Sequence, residues 1–99
     1  MGNKSKQKGS RFERLCVKIA KSFGIKSLRA WGSDGRSLGE HSEVDIMVGK
    51  FKAQCKTRER IAKWIKPSKY VDIQIVKENY GEVYVIQKYE NWLKIIKKI

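Results

Sequence analysis

The 99-residue sequence predicts a single α/β domain, in which helices flank a central mixed five-stranded sheet in the order αβββαββα. Three patterns lead to this prediction. They are an amphipathic helix near the N-terminus, an apolar hairpin in the middle of the chain, and a second pair of alternating strands that precedes a C-terminal amphipathic helix. Hydrophobic residues make up 40% of the chain, which is enough for one modest core.

The N-terminal residues 1–9 are predicted to form a flexible basic arm, because lysines stand there among small and polar residues. These lysines are Lys4, Lys6 and Lys8. The first helix is predicted to begin at Ser10, which forms a capping-box pattern with Glu13, and to end at Gly24. Its apolar residues recur with helical spacing and form one face, which consists of Phe12, Leu15, Cys16, Ile19, Ala20 and Phe23.

The middle of the chain is predicted to contain three strands. Residues 25–31 are predicted to form a short strand or an extended entry to the sheet, and the glycine- and serine-rich residues 32–39 are predicted to form a loop. Residues 43–48 and 51–56 alternate between the two faces of a sheet and are joined by a tight turn. These two segments are therefore predicted to form a hairpin.

The C-terminal part is predicted to contain a short helix, two strands and a closing helix. An apolar stripe over residues 61–65, which Pro67 ends, predicts the short helix. Residues 71–75 and 83–86 are predicted to be antiparallel strands around a turn at residues 77–81. The apolar residues of the closing helix are Tyr89, Trp92, Leu93 and Ile96.

Charge is the strongest signal in the composition. Lys and Arg number 23 against 10 Asp and Glu, which leaves a net charge of +13. So small and so basic a domain most often binds a polyanion, and nucleic acid is the leading candidate. The alternative is a basic surface that serves only solubility.

The sequence also allows the cellular location of the protein to be predicted. No apolar run is long enough to span a bilayer, and no apolar stretch follows the basic N-terminus, so neither a membrane span nor a secretory signal is expected. A cytoplasmic location is predicted, in the cytoplasm of the host if the protein is viral. There Cys16 and Cys55 are expected to be reduced and buried, since disulfides are rare in that compartment.

Asp45 is the best candidate for a metal ligand, because aspartate is a poor strand former and this one interrupts an apolar strand. A carboxylate suits Mg²⁺, which can polarise a phosphoryl oxygen and activate water for phosphodiester cleavage. The alternatives are an exposed strand aspartate or an ion pair with Lys56 across the hairpin. Lys56 could stabilise charge on an attacked phosphate, or be one more surface lysine.

Three further positions could complete such a site. Gln54 shares a face with Lys56 and offers a neutral amide, which binds a cation more weakly than a carboxylate does. The alternative for Gln54 is a polar residue on the wetter face of the sheet. The backbone carbonyl of Cys55 could be a further ligand. Glu13 could complete the cap of the first helix, or reach the sheet edge that carries Asp45.

Other polar and aromatic side chains could contact nucleic acid. His41 could act as a general base or donate to a phosphate, although a loop histidine often has neither role. Ser33 could bond a phosphate or only shape its turn. Trp31 lies beside the glycine-rich loop and is the tryptophan best placed to stack on a base, with packing as the alternative.

Four short motifs occur in order in the first part of the chain, at residues 8–14, 29–33, 43–45 and 54–56. Together they resemble the PD-(D/E)XK nuclease superfamily, and most closely the archaeal and viral Holliday-junction resolvase-like endonucleases. The chain beyond Pro67 resembles the shorter members of this superfamily less closely.

The resemblance implies a restriction-endonuclease-like core and a Mg²⁺-dependent, structure-selective DNA endonuclease, most specifically a Holliday-junction resolvase of DNA recombination and repair. Mn²⁺ could substitute for Mg²⁺. Glu13, Asp45 and the backbone carbonyl of Cys55 would hold the metal, and Lys56 would be the signature lysine. Gln54 belongs to the catalytic set but stands where the family usually has Glu.

The resemblance also implies partners. A homodimer follows from the need to cut two strands of a four-way junction symmetrically. The DNA backbone would be held by the arm and by residues around the site, with shape rather than sequence being recognised. The residues predicted to contact DNA are Lys4, Lys6, Lys8, Arg11, Arg14, Arg29, Trp31, Ser33, Arg36 and His41.

Two other functions stay open at this point. Gln54 favours a non-catalytic nucleic-acid-binding protein on a decayed nuclease fold. The charge is equally compatible with an RNA-binding or ribosome-associated basic protein.

Overall fold

A computed structural model describes residues 4–99, except for the side chains of residues 4–7 and 33. Over these residues the chain forms two α-helices and five strands, so the fold is mixed α/β as predicted. The chain divides into two compact units, Met1–Thr57 and Arg58–Ile99, and each is described by itself. The prediction of one nuclease domain over residues 1–99 stays a prediction.

The first unit consists of one helix against a three-stranded antiparallel sheet. Helix α1 (Lys4–Ser22) packs against β1 (Ser27–Arg29) and β2 (Ile46–Val48). Strand β2 lies in the centre of the sheet, between β1 and β3 (Phe51–Ala53). Two short 3-10 turns, Trp31–Ser33 and Gly35–Leu38, connect β1 to the segment that leads into β2.

The centre of this unit is the apolar side of β2. Ile46 is 1% exposed and Val48 is fully buried, while Ala20 of α1 is also fully buried. Burying an aliphatic side chain of this size contributes about 1.5–3 kcal/mol. The predicted hairpin is confirmed, with Gly49 in the connecting turn at a φ of 57° that favours glycine.

The N-terminus differs from the prediction. Helix α1 begins at Lys4, so residues 4–9 belong to the helix rather than to a flexible arm, and residues 1–3 lie outside the described part. Ser10 is therefore inside the helix and does not cap it. Its Oγ accepts a hydrogen bond from Nη2 of Arg29 at 3.0 Å. The capping pattern was misleading because lysine, glutamine and serine upstream of Ser10 are all compatible with a helix.

The second unit is a hairpin followed by a helix. Strands β4 (Ile73–Lys77) and β5 (Val83–Gln87) pair antiparallel, and α2 (Tyr89–Lys97) follows them. Both strands and the closing helix agree with the prediction to within a few residues. The turn between the strands contains Tyr80, whose φ is 61°.

The short helix predicted over residues 61–65 is wrong. The backbone forms only a turn there, in which the N–H of Ile65 donates to the carbonyl of Ala62 at 3.0 Å. Pro67 cuts the apolar stripe after little more than one turn, and a helix this short does not recover the cost of its nucleation.

The sheet also differs from the prediction. Five strands occur in the described residues, but they form a three-stranded sheet and a two-stranded sheet, and every pair is antiparallel. The structure therefore has two small sheets where one mixed five-stranded sheet was predicted. Alternation along a strand predicts which face is apolar, but it does not specify which strands become neighbours.

The N-terminal extension of α1 can be tested at Gly9. No atom lies within 4 Å of where a Cβ at this position would stand. Because glycine is unfavourable inside a helix, we expect G9A to raise the free energy of unfolding by about 0.5–1 kcal/mol. Urea denaturation followed by circular dichroism measures this change.

Gly35 provides the contrasting variant. A Cβ there would stand 2.1 Å from the backbone carbonyl oxygen of His41, so G35A should destabilise the protein by about 1–3 kcal/mol. If G9A leaves stability unchanged while G35A lowers it, residues 4–9 are not helical in solution.

Candidate functional site

The candidate site begins where β2 and β3 separate, next to Asp45. Ile46 lies opposite Ala53 in the ladder, and the N–H of Asp45 also donates to the carbonyl of Ala53, at 2.9 Å. On its other side, the carbonyl of Asp45 accepts from the N–H of Ala30 at 2.8 Å. The backbone of Asp45 is thus held by both neighbouring strands.

The side chain of Asp45 extends this ladder. The N–H of Cys55 donates to Oδ2 of Asp45 at 2.7 Å. A carboxylate therefore replaces the backbone carbonyl that would accept this bond in a continuing pair of strands. Asp45 is 9% exposed, so neither an exposed strand aspartate nor an ion pair with Lys56 describes its position.

Glu13 reaches the same region from α1. It is 5% exposed, and its Oε1 accepts from Nε of Arg29 at 3.0 Å. Arg29 also donates to Ser10, one turn earlier on α1, so one guanidinium on β1 holds two positions of the helix. This pair fixes the rotation of α1 on the sheet and keeps Glu13 facing inward. It replaces the predicted capping role of Glu13.

The thiols of Cys16 and Cys55 influence each other's pKa. Cys55 is half-buried, and a side-chain hydrogen bond joins it to Cys16. The pKa of the Cys55 thiol is raised by this hydrogen bond, by burial, and by the negative charges of Cys16, Asp45 and Glu13. Arg29, which binds Glu13, is followed in the chain by Ala30, whose N–H donates to the carbonyl of Asp45, so adjacent residues hold Glu13 and Asp45.

The pKa of Cys16 moves in the opposite direction. The hydrogen bond from Cys55 stabilises the Cys16 thiolate and lowers its pKa, while burial and the charge of Glu13 oppose the change. Of the predicted site residues, the structure places the backbone of Cys55 in direct contact with Asp45, and Glu13 in contact with Arg29.

Gln54 and Lys56 lie on the other side of this segment. Both side chains are exposed, whereas Cys55 between them is half-buried, as alternation along an extended chain requires. Within the described residues, Lys56 forms no ion pair with Asp45 or Glu13. Lys56 is therefore available to a bound phosphate at the rim of the site.

The side chains present set a limit on metal binding. Within residues 4–99, no three side chains of His, Cys, Asp or Glu are gathered in a way that could hold a metal ion. The predicted ligands are two carboxylates and the backbone carbonyl of Cys55, all hard oxygen donors. Mg²⁺ usually takes one or two carboxylates and keeps several waters, so these residues fit that ion.

Gln54 lines an open groove of about 310 Å³. His41, Glu43 and Lys52 line the same groove. Nδ1 of His41 accepts from the N–H of Glu43 at 3.0 Å, so the imidazole shapes its own turn. His41 lies near Gln54 but is exposed, and one of its nitrogens is already engaged.

The loop before β2 carries three predicted DNA contacts. Trp31 is 83% exposed, as a residue that stacks on bases needs to be. The side chain of Ser33 lies outside the described residues. Arg36 forms a forked ion pair with Asp34, which holds the pKa of that carboxyl at about 2, so much of its charge is compensated locally.

A basic groove of about 300 Å³ runs along α1. Its cations are Arg14, Lys18 and Lys21 from the helix and Arg29 from β1. Lys18 and Lys21 were not among the predicted DNA contacts. The spacing i, i+4, i+7 from Arg14 could have identified them, because it places all three on one helix face.

The other predicted contacts on α1 are only partly described. The side chains of Lys8 and Arg11 are exposed. Lys4 and Lys6 lie in the first turns of the helix, and their side chains are outside the described residues.

Comparisons of the chain with protein-family models, with curated proteins and with solved structures gave no match. In the described part of the chain, neither helix has the length and apolar character needed to cross a membrane. What the protein does must therefore be inferred from the geometry above.

Arg29 provides a test of the inward position of Glu13. Replacing it by methionine keeps much of the apolar part of the side chain but removes the cation beside a carboxylate that is 6% exposed. We expect R29M to lower the free energy of unfolding by about 3 kcal/mol, measured by urea denaturation. Adding E13Q should recover part of this loss, because the buried charge is then removed.

Arg36 supplies the matched control for R29M. Its ion pair with Asp34 is exposed and screened by solvent, so R36M should leave the unfolding transition nearly unchanged. Equal effects of R29M and R36M would contradict a buried Glu13–Arg29 pair.

Proposed function

We propose that the protein is a metal-dependent endonuclease that hydrolyses phosphodiester bonds in DNA. One observation carries the proposal: the Asp45 carboxylate lies where β2 and β3 separate, and the buried Glu13 is bound by Arg29, whose neighbour Ala30 binds the backbone of Asp45. Buried acids at the end of a sheet are costly unless a cation or a donor compensates them. Their occurrence in a chain of net charge +13 supports a site for a cation and a polyanion together.

The metal site would consist of Asp45, Glu13 and the carbonyl of Cys55. Bound there, Mg²⁺ or Mn²⁺ would polarise a phosphoryl oxygen and lower the pKa of a coordinated water. Groups of the protein itself would orient the two carboxylates that bind the metal. The N–H of Cys55 fixes one oxygen of Asp45, and Arg29 fixes one oxygen of Glu13.

Lys56 and Gln54 would contact the substrate from the rim. The ammonium of Lys56 would hold the attacked phosphate and stabilise the negative charge that develops on it. The amide of Gln54 would provide a neutral contact in place of a third carboxylate. The arrangement of α1 and the strands β1–β3 supports a restriction-endonuclease-like core for the first unit, which is part of the proposal.

The basic groove on α1 would bind the DNA backbone. Lysine and arginine side chains on one helix face contact phosphates regardless of base sequence, so binding would depend on DNA shape and would weaken with salt. We further propose a branched substrate, such as a four-way junction, cut by a homodimer. A gel with labelled junction, flap and linear duplex, with and without Mg²⁺, tests both activity and substrate.

A second candidate is a nucleic-acid-binding protein without catalytic activity. Gln54 in place of an acid, together with only two carboxylates at the site, favours this reading. Binding and its salt dependence would be the same for both candidates. Cleavage of the junction in Mg²⁺ or Mn²⁺ separates them, since a binder would shift the DNA on the gel and leave it intact.

Lys56 is the residue whose loss should separate binding from cleavage. We expect K56A to lose detectable cleavage of the junction, because the charge on the attacked phosphate is no longer stabilised. It should still shift the DNA in a mobility assay within about threefold of the unmodified protein, since one of many cations is removed.

Lys50 offers a matched control for this experiment. It lies at the opposite end of the same hairpin and is also exposed. K50A removes the same charge and should cut normally. Full activity of K56A, or equal losses in K56A and K50A, would refute the proposed role.

Gln54 tests the composition of the metal site. We expect Q54E to preserve cleavage and to lower the Mg²⁺ concentration needed for half-maximal rate, because a carboxylate binds a divalent cation more tightly than an amide. The measurement is a Mg²⁺ titration of the cleavage rate at fixed DNA. An inactive but folded Q54E protein would show that the amide has a function of its own.

A further inference from the structure

The second unit begins with a basic segment, residues 58–70, to which the proposed nuclease reaction gives no role. Five of these residues are Lys or Arg and only one is acidic. A lysine stands directly before each of the two aromatic residues, since Lys63 precedes Trp64 and Lys69 precedes Tyr70. Lysines interleaved with aromatic side chains are typical of surfaces that bind nucleic acid.

Both aromatic side chains of this segment lie on the surface. Trp64 is 68% exposed and Tyr70 is 83% exposed. The smaller side chains of Ile65 and Pro67, which lie between them in the chain, are partly buried. The segment is thus anchored by its aliphatic residues, while the two largest apolar groups are left in solvent. Large apolar groups left exposed in this way mark a surface that another molecule covers.

Hydrogen bonds hold the backbone of both aromatic residues in place. Nε2 of Gln74, in β4, donates to the carbonyl of Trp64 at 3.0 Å. Oγ of Ser68 accepts from the N–H of Tyr70 at 3.3 Å. Trp64 is therefore fixed at β4, and Tyr70 precedes Gln74 by only four residues, which is at most about 14 Å of chain. The two aromatic residues consequently belong to one surface of the second unit.

The lysines of this segment carry charge that no acidic side chain neutralises. Lys63, Lys66 and Lys69 are all exposed, and within the described residues none of them forms an ion pair. Nζ of Lys69 lies 5.1 Å from the centre of the Tyr70 ring, so this cation stands beside one of the two aromatic groups. Cations gathered in this way repel one another, and a phosphate backbone relieves the repulsion.

We propose that these five residues form an aromatic–lysine surface that binds single-stranded DNA, which consists of Lys63, Trp64, Lys66, Lys69 and Tyr70. Bases stack on the two rings, and the lysines contact phosphates. Unpaired bases can offer a face to an aromatic ring, whereas the bases of a duplex are stacked on one another, so the rings favour a single strand over a duplex. The inference rests on the proposed function only in taking DNA as the polyanion.

The test is the binding of a fluorescein-labelled oligo(dT) to the full-length protein, measured by fluorescence anisotropy in EDTA. A duplex of equal length is measured beside it. We expect W64A and Y70A each to weaken binding of the single strand by about tenfold, a typical loss for one stacked base. Binding of the duplex should stay within about twofold, because its bases do not stack on the rings.

Tyr80 supplies the matched control. It is a fully exposed aromatic residue of the same unit, but Glu78 and Glu82 stand two residues to either side of it instead of lysines. Y80A should bind both DNAs as the unmodified protein does, and W64F should keep most of the affinity because phenylalanine still stacks. Equal losses in Y80A and W64A, or equal losses for single strand and duplex, would overturn the proposal.

The unmodified protein gives a result even if a variant does not fold. Photo-crosslinking to an oligonucleotide that contains 5-bromodeoxyuridine, followed by mass spectrometry of peptides, should place the adducts on Trp64 or Tyr70. Adducts confined to Trp31 would overturn the proposal, as would tighter binding of oligo(U) RNA than of oligo(dT). Loss of binding to phosphatidylserine vesicles in W64A, with DNA binding unchanged, would assign the surface to membranes and overturn it as well.

Binding in EDTA is measured apart from metal-dependent cleavage, so the two proposals can fail separately. A protein that cuts DNA but binds the single strand equally well after W64A would refute the aromatic–lysine surface alone. A protein that binds the strand through Trp64 and does not cut DNA would refute the nuclease alone and support the surface.

Discussion

One backbone hydrogen bond, from the N–H of Cys55 to the carboxylate of Asp45, fixes the centre of the candidate site. It ends the pairing of β2 with β3 without leaving a buried donor unsatisfied. It also aligns the carboxylate with the segment that carries Gln54, Cys55 and Lys56. An aspartate that would otherwise destabilise a strand is thus bound to the N–H of Cys55, and this bond orients its carboxylate.

The ion pair between Glu13 and Arg29 holds the second carboxylate of the candidate site, which comes from the helix. It links α1 to β1 and keeps a second carboxylate inside a strongly basic protein. Arg29 was predicted to contact DNA, but here it holds Glu13 and Ser10 and only borders the basic groove. The positive charge of the groove therefore comes mainly from Arg14, Lys18 and Lys21, whose side chains are exposed on the helix.

The sequence could predict features that depend on local pattern. Alternation around Gly49 identified the hairpin, and helical spacing identified most of the apolar face of α1, although Leu15 of the predicted face is 49% exposed. The start of α1 was missed because a capping pattern at Ser10 does not exclude a helix that begins earlier. The bond between Arg29 and Glu13 has no local signal, since it depends on how α1 lies across the sheet. The inward position of Glu13 was one of two alternatives that the sequence left open, and the family resemblance favoured it.

The most direct test of the central claim is a titration of ¹⁵N-labelled protein with Mg²⁺, followed by the amide signals of Asp45, Gln54 and Cys55. A metal held by Asp45 and the carbonyl of Cys55 predicts saturable shifts of these signals, which should be lost in the D45N variant. Signals that stay unmoved at high Mg²⁺, or that shift equally in folded D45N, would contradict a metal site at the end of β2.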